Sequence, residues 1–444
     1  MRSASLRGCL ASERLGPSRF SLSHRQFYNG RVCPSSSGRR GVRRLKVTSL
    51  VTPCQAAGAI ALGGLVAWGI SRVVGSMPNP ALLFNKDEFN NAVVSRCPTI
   101  LSEYKNFWPL WNGHVETIWA AWFRRDPGVK YSREILKRED GGSVAIDSFD
   151  PGEMPALPDD APVVILMPGL AGGSGCVYVQ YSALRAYQYG IRAVVFNSRG
   201  TADSPVTSPQ FYSASFTGDT RATVDHIASK YPKSKLLAVG WSLGGNILVN
   251  YLGEEGDKTP LVAAASLCNP FDLCECDKAL QSGFSRLYDR NLGQGMQKLF
   301  VPHAHLFEGK EGFDVDLAQR CNTVREFDAA VTHVSFGWKD VDAYYKGSGS
   351  RLAIPKVRIP LLCIQALDDP IAVEAAIPFD AIRNNPKCTL VTTSTGGHLG
   401  WVAGDGGLFG APWSDLASFE WLDAVLKEID VLEKKLEPML AGKP

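Results

Sequence analysis

No two cysteines in this sequence stand in a CxxC pair, although the chain contains eleven. That spacing marks zinc fingers and redox dithiols, so its absence removes both readings. Cys274 and Cys276 are the one tight pair and have no second half-site, while Cys268 and Cys363 lie in apolar runs, where a thiol behaves as a small hydrophobe. An odd number of scattered cysteines fits a reducing compartment. Internal repeats and low-complexity tracts are also missing from the body of the chain. With 45% apolar and 20% charged residues, the collagen-like, coiled-coil and disordered classes are set aside. The Gly-rich stretch Pro168-Gly169-Leu170-Ala171-Gly172-Gly173-Ser174 lacks the Lys-Ser/Thr ending of a phosphate-binding loop. His303 and His305 alternate as strand-borne ligands do, but no carboxylate cluster joins them, so no metal and no cofactor are expected.

Acids are almost absent from the first 46 positions, which hold ten Arg and one Lys against Glu13 alone. This segment carries +10 of a net +3, so the remainder stands at −7, from 36 basic and 43 acidic residues. A net-acidic body excludes nucleic acid as a partner, because phosphate binding needs a basic face. Arg- and Ser-rich, acid-poor composition over 1–46 is that of an organellar transit peptide, chloroplast first and mitochondrion second. Charge is then missing from Val47 to Ser71, and Ala56 to Ile70 is a continuous run of apolar residues and Gly. With its flanks the run approaches the ~20 residues that span a bilayer. Residues 47–75 are therefore expected to anchor the chain in a membrane, with Arg39, Arg40, Arg43, Arg44 and Lys46 keeping the preceding segment untranslocated. A signal-type or re-entrant segment is the alternative. The expected location is a chloroplast membrane, with the mitochondrial or endoplasmic reticulum membrane as alternatives.

Residues 76–130 form an N-terminal extension rich in aromatics, among them Phe107, Trp108, Trp111, Trp119, Trp122 and Phe123. The last three fall at i, i+3, i+4 spacing on a helix and are expected to pack in the core, although lipid or an acyl chain would suit them too. His114 in this stretch is expected to be structural. From 131 to 440 short apolar runs alternate with helical sequence, which predicts a mostly parallel sheet flanked by helices. Tyr131–Lys137 and Ser143–Ser148 flank the turn Asp140-Gly141-Gly142 as a hairpin. Interior strands are expected at Val163–Met167, Ala193–Asn197, Leu236–Gly240, Leu261–Leu267, Leu361–Gln365 and Thr389–Thr392. Residues 272–356 break this rhythm and are read as a lid that presents Phe284, Leu287, Leu299 and Phe300 to a ligand. Ser414–Leu440 closes the chain as one or two amphipathic helices.

Gly240-Trp241-Ser242-Leu243-Gly244 matches the nucleophile elbow, in which a serine sits on a tight strand-to-helix turn. An apolar strand precedes it and a helical run follows, as that turn requires. A serine hydroxyl needs a base to take its proton and a carboxylate to orient that base, and in this fold they follow as acid, then histidine. Of the four histidines downstream, His303, His305 and His333 precede the last predicted strands, and only His398, after Gly396-Gly397, fits the order. Asp368 and Asp369 both follow the Leu361–Gln365 strand. Asp369 is preferred because Asp369-Pro370-Ile371 has the usual aliphatic phase and Pro370 restricts the residue before it. Asp368 is expected to bond nearby backbone N–H groups in a turn. The oxyanion donors are expected to be the N–H groups of Leu170 and Leu243.

Several stretches together resemble the AB hydrolase 4 family, especially its plant embryogenesis-associated members. They are Gly113-His114-Val115-Glu116-Thr117-Ile118, Phe196-Asn197-Ser198-Arg199-Gly200, Ser204-Pro205-Val206-Thr207, Gln210-Phe211-Tyr212-Ser213-Ala214-Ser215-Phe216 and Gly396-Gly397-His398-Leu399-Gly400-Trp401. The similarity runs over residues 100–425, and Pro168 departs from it where many relatives have His. The resemblance implies an α/β-hydrolase fold with helices on both faces of the sheet and an inserted lid. It also implies carboxylester or lipid-acyl hydrolysis, often at a membrane; animal relatives cleave phospholipid acyl chains. An acyltransferase would use the same three residues, and a ligand receptor on this fold would use none of them.

Overall fold

Runs of Val, Ile, Leu and Ala too short for helices pair here into one nine-stranded sheet. The computed structural model describes residues 80–106, 110 and 112–441. The transit-peptide-like stretch 1–46, the apolar run 47–75 and Phe107, Trp108 and Trp111 lie outside the described residues. The strands are β1 (Ala81–Phe84), β2 (Lys130–Lys137), β3 (Ser143–Asp150), β4 (Val163–Met167), β5 (Arg192–Asn197), β6 (Leu236–Trp241), β7 (Leu261–Leu267), β8 (Leu361–Ala366) and β9 (Cys388–Thr393). Their order across the sheet is β1-β9-β8-β7-β6-β4-β5-β3-β2. The six strands from β5 to β9 through β4 run parallel, and β3, β2 and β1 are antiparallel to their neighbours. Every residue of β4, β6, β8 and β9 is buried, the signature of strands covered on both faces.

Side-chain alternation divides each strand between two cores. Val164, Leu166, Leu237 and Val239 point to one face, covered by the helices Val177–Gln188 and Trp413–Ala441. Val163, Ile165, Leu236 and Ala238 point to the other, covered by Gly218–Lys230 and Leu243–Glu255. The closing segment is one helix, not two. From β4 the chain steps to β5 on one side, and from β6 to β7, β8 and β9 on the other. This reversal opens a crevice beyond the carboxyl ends of β4 and β6, where ligands of open α/β sheets bind.

Two expectations are corrected. β1 was not anticipated: four half-buried residues without alternation carry no strand signal, yet they pair with β9 from Ala81–Thr392 to Phe84–Thr389 and cover that edge. Of the aromatics at the end of the helix Gly113–Trp122, Trp119 is half-buried and its Nε1–H donates to Leu408 O at 2.7 Å, but the other two are not in the core. Trp122 is 78% exposed and Phe123 49%, whereas Glu116 and Thr117 are buried. Helical spacing establishes which residues share a face and leaves open which face meets the core. Among the described residues no helix is long and apolar enough to cross a membrane.

Phe419 is fully buried between the long closing helix and the sheet. Phe419→Ala should lower unfolding free energy by roughly 3–5 kcal/mol in urea titrations, since a cavity is left that the helix does not close.

Candidate active site

The turn from β6 into the helix Leu243–Glu255 holds Ser242 at φ 50° and ψ −123°, a conformation that L residues rarely adopt. Hydrogen bonds on both sides pin it: Ser242 N–H donates to Leu267 O at 2.8 Å, and Asn246 N–H donates to Ser242 O at 3.0 Å. The glycines beside it are demanded by space. A Cβ on Gly244 would collide with the carbonyls of Met167 and Pro168, and one on Gly240 would lie 2.7 Å from Gly244 O.

The loops after β8 and β9 bring a carboxylate and an imidazole to this serine. His398 Nε2 lies 3.0 Å from Ser242 Oγ, and His398 Nδ1 lies 2.8 Å from Asp369 Oδ2. Asp369 Oδ1 accepts the N–H groups of Ile371 and Ala372 at 2.8 and 2.9 Å. These are the local turn bonds expected of Asp368. Asp368 reaches instead across to the next loop, where its Oδ1 accepts Gly397 N–H at 2.9 Å. An imidazole so held, Nδ1 donating to the carboxylate, presents Nε2 as an acceptor for the serine proton.

The loop after β4 passes so close to Ser242 that a Cβ on Gly169 would lie 3.1 Å from the serine Cβ. Two tyrosines hold it. Gly169 N–H donates to Tyr178 Oη at 3.0 Å, and Ala171 N–H to Tyr212 Oη at 2.8 Å. Between them, Leu170 N–H has no acceptor among the described residues, and neither does Leu243 N–H at the start of the helix. Both residues line one cavity with Ser242 and His398. Sequence reasoning did not find the tyrosines; Tyr212 stood in one of the shared stretches without a stated role.

That cavity, about 320 Å³, is roofed by the insertion between β7 and β8. Leu273, Leu280, Leu292, Met296, Tyr344 and Tyr345 supply its apolar walls, and Asp328 is a polar group there. Burial pushes the Asp328 carboxyl up to about 6, and Tyr345 Oη donates to it at 2.9 Å. None of Phe284, Leu287, Leu299 and Phe300 lines the cavity. Phe284 and Leu287 are exposed, and Phe300 packs with Phe211, Phe307 and Phe327 in a separate core of the insertion, with Leu299 against it. The insertion has its own hydrophobic centre, so the Arg286–Phe300 helix divides its apolar residues between two surfaces. His303, His305 and His333 lie away from Ser242 and do not line the cavity, and His114 Nδ1 meets Tyr288 Oη at 3.1 Å.

A sequence model described as the α/β hydrolase fold matches residues 162–402. Embryogenesis-associated protein EMB8 of Picea glauca is 48% identical over 352 residues, 78% of this chain and 77% of that protein. The chain belongs to the α/β-hydrolase family. Phospholipase ABHD3 of Mus musculus is 32% identical over 349 residues, 78% of this chain and 84% of that protein. Monoacylglycerol lipase of Saccharomyces cerevisiae is 33% identical over 335 residues, 66% of this chain and 74% of that protein.

In this hydrolase the His398 loop is clamped from the N-terminal extension, a layer that motif reading did not reach. His398 N–H donates to Thr117 Oγ1 at 2.8 Å, and Thr117 Oγ1 donates to Gly113 O. Arg124 donates to Leu399 O at 3.1 Å and Gly400 O at 2.6 Å, and Val402 N–H donates to Glu116 Oε2 at 3.2 Å. Gly113 itself is packed so closely on Asp368 O that a Cβ would collide there. Cys268 Sγ accepts Leu399 N–H at 3.4 Å, so this buried thiol touches the loop and is more than filler. Cys268, Asp369 and His398 bring ligand atoms within 4.8 Å of one another, but burial holds the thiol well above its ordinary range and so disfavours the thiolate a metal would need.

Glu116 and Asp368 are buried carboxyls whose Oε1 and Oδ2 have no hydrogen-bond partner among the described residues. Burial pushes each up to about 7, reinforced by the charge of Asp368 on Glu116 and by that of Asp369 on Asp368. In the unfolded chain both ionise near 4, so between about 4 and about 7 the unfolded state gives up protons that the fold keeps. This contribution to stability is complete below that window, is lost as pH rises through it, and is level above. The double variant Glu116→Gln/Asp368→Asn should therefore show a smaller drop in urea midpoint between pH 5 and pH 8 than the parent. An unchanged drop would mean that the two carboxyls ionise in the fold as they do in water.

Proposed function

We propose that the protein is a serine carboxylester hydrolase that acts on lipid or short-to-medium acyl esters through an acyl-enzyme. The observation that carries this reading is the hydrogen-bonded line Ser242–His398–Asp369, opening on an apolar cavity. Ser242 Oγ attacks the ester carbonyl while His398 Nε2 takes its proton. Charge developing on the carbonyl oxygen is met by the N–H groups of Leu170 and Leu243. The intermediate collapses as His398 returns the proton to the departing alcohol, leaving Ser242 acylated. Water then enters, gives a proton to His398, and attacks the acyl carbon. The serine leaves with that proton and the carboxylic acid is freed. The relatives named as a phospholipase and a monoacylglycerol lipase support lipid esters as the substrate class, as do the cavity's apolar walls.

The Arg-rich residues 1–46 and the uncharged run within 47–75 support delivery to the chloroplast and anchoring in a membrane there. The insertion 272–356 acts in this reading as a lid on the acyl site. A fluorescent fusion that stays in the cytosol would remove the location, and it leaves the chemistry untouched.

A fluorophosphonate probe should label the parent and not Ser242→Ala, whose esterase turnover should fall by at least about 10³-fold with circular dichroism unchanged. Labelling of the alanine variant would dismiss Ser242 as nucleophile. Asp369→Asn should cut kcat by about 10³–10⁴-fold, because the amide favours the wrong imidazole tautomer. Asp368→Asn should cost far less; the opposite ranking in steady-state kinetics would reassign the acid.

A further inference from the structure

The helix Gly113–Trp122 is amphipathic in the wrong sense for a surface helix. Glu116 and Thr117 are buried against the His398 loop, while Val115 is 40%, Trp122 78% and Phe123 49% exposed. A helix that only closes the domain turns its polar side chains to water. The apolar face continues across the insertion. His114 sits against Phe284 at 5.0 Å and stacks on Tyr288 at 5.7 Å, and beside them Phe284 and Leu287 are 49% and 57% exposed. Arg125, Arg286 and Arg290 are exposed on the same two segments, and none forms an ion pair with a described residue. Arg125 lies over the Phe409 ring at 5.0 Å, next to the Trp119–Phe123 pair.

We propose that this face, formed by Val115, Trp122, Phe123, Phe284 and Leu287 with Arg125, Arg286 and Arg290, docks on an anionic lipid surface. The occupant is argued from charge and chemistry together. Indole and phenyl rings beside guanidinium groups that have no ion-pair partner among the described residues match a bilayer interface, where aromatic rings sit at headgroup depth and Arg meets lipid phosphate. A second copy of this chain would have to set carboxylates against three arginines, and the apolar run 56–70 carries none. The placement is also useful for the ester-hydrolase reading, on which its consequence, though not its geometry, rests. The inner side of the same helix holds His398 through Thr117, and the helix Arg286–Phe300 that carries Leu287 and Arg290 outward lines the cavity with Leu292 and Met296. Docking therefore sets the wall of the acyl cavity at the surface from which an acyl chain is drawn.

The test compares the full chain with its Trp122→Gln/Leu287→Gln variant, both keeping residues 47–75, so that any anchoring by that run is common to the two. Two esters are offered, soluble p-nitrophenyl butyrate and an acylglycerol embedded in vesicles of phosphatidylcholine with phosphatidylglycerol. The variant should hydrolyse the soluble ester within about twofold of the parent and the vesicle-borne ester at least about tenfold more slowly, the loss expected when two apolar side chains no longer enter lipid. Tryptophan emission should be quenched by brominated phosphatidylcholine in the same vesicles more strongly in the parent than in the variant. The parent should also prefer the anionic vesicles to phosphatidylcholine alone. Equal quenching, an equal loss on both esters, or no loss on vesicles overturns the proposal. So does a variant that turns from dimer to monomer in light scattering with vesicle turnover intact, since a second copy would then cover the face. Absence of turnover on both esters by the parent would instead remove the hydrolase reading, and the quenching comparison would still decide the docking.

Discussion

The backbone of Ser242, at φ 50°, is the constraint from which the rest of the site follows. A residue held there costs on the order of 1–3 kcal/mol and persists only where its surroundings leave no alternative. Here the sheet fixes the residue before it and the helix Leu243–Glu255 the residue after, through bonds to Leu267 O and from Asn246 N–H. The strain lifts the hydroxyl clear of the sheet edge. It also forces everything nearby to be thin. Gly240 and Gly244 let the helix start against the strand, and Gly169 lets the loop after β4 cross within van der Waals contact of the serine. A larger residue at any of the three would move the hydroxyl relative to His398, so the small residues and the reactive one form a single device.

Much of this was legible in the sequence, and the reason is physical. Strands β4, β6 and β8 are buried on both faces, so they appear as short, mostly apolar runs, too short for helices and without the alternation of a solvated strand. Parallel strands each deliver a loop to the same edge, so the residues after β6, β8 and β9 meet there in the order serine, acid, histidine. What could not be read was the sense of faces. Trp119, Trp122 and Phe123 share a helix side whichever way it turns, and only the polar cradle that Glu116 and Thr117 make for the His398 loop decides that Trp122 and Phe123 face out. The insertion poses the same difficulty. Its Arg286–Phe300 helix carries enough apolar residues for two surfaces, and Phe300 went to the inner core while Leu292 and Met296 went to the cavity. The motif Phe196-Asn197-Ser198-Arg199-Gly200 pointed to the site's surroundings, not to its chemistry. Asn197 Oδ1 accepts Ser174 N–H at 2.8 Å, and buried Arg199 grips both oxygens of Asp219 at 2.7 and 2.8 Å.

The two adjacent carboxyls after β8 show how a fold gives neighbours different tasks. Asp369 receives two backbone N–H groups on one oxygen and the His398 imidazole on the other, so each lone-pair site that matters is met by a donor. Asp368 Oδ1 accepts the N–H of Gly397, and its buried Oδ2 has no donor among the described residues. Donors favour the charged form and desolvation the neutral one, and the second carboxylate of a close pair is further opposed by the first. Burial accordingly raises Asp368 to about 7, with the charge on Asp369 adding to the effect. Asp368 accepts from Gly397 whether or not it carries its proton, so it holds the loop while Asp369 holds the imidazole. The same logic reaches Glu116, which is raised to about 7 and sits on the other side of the loop. One carboxylate bonded to the imidazole, with buried acids whose ionisation is opposed holding the loop around it, is the arrangement that keeps the histidine's orientation single-valued.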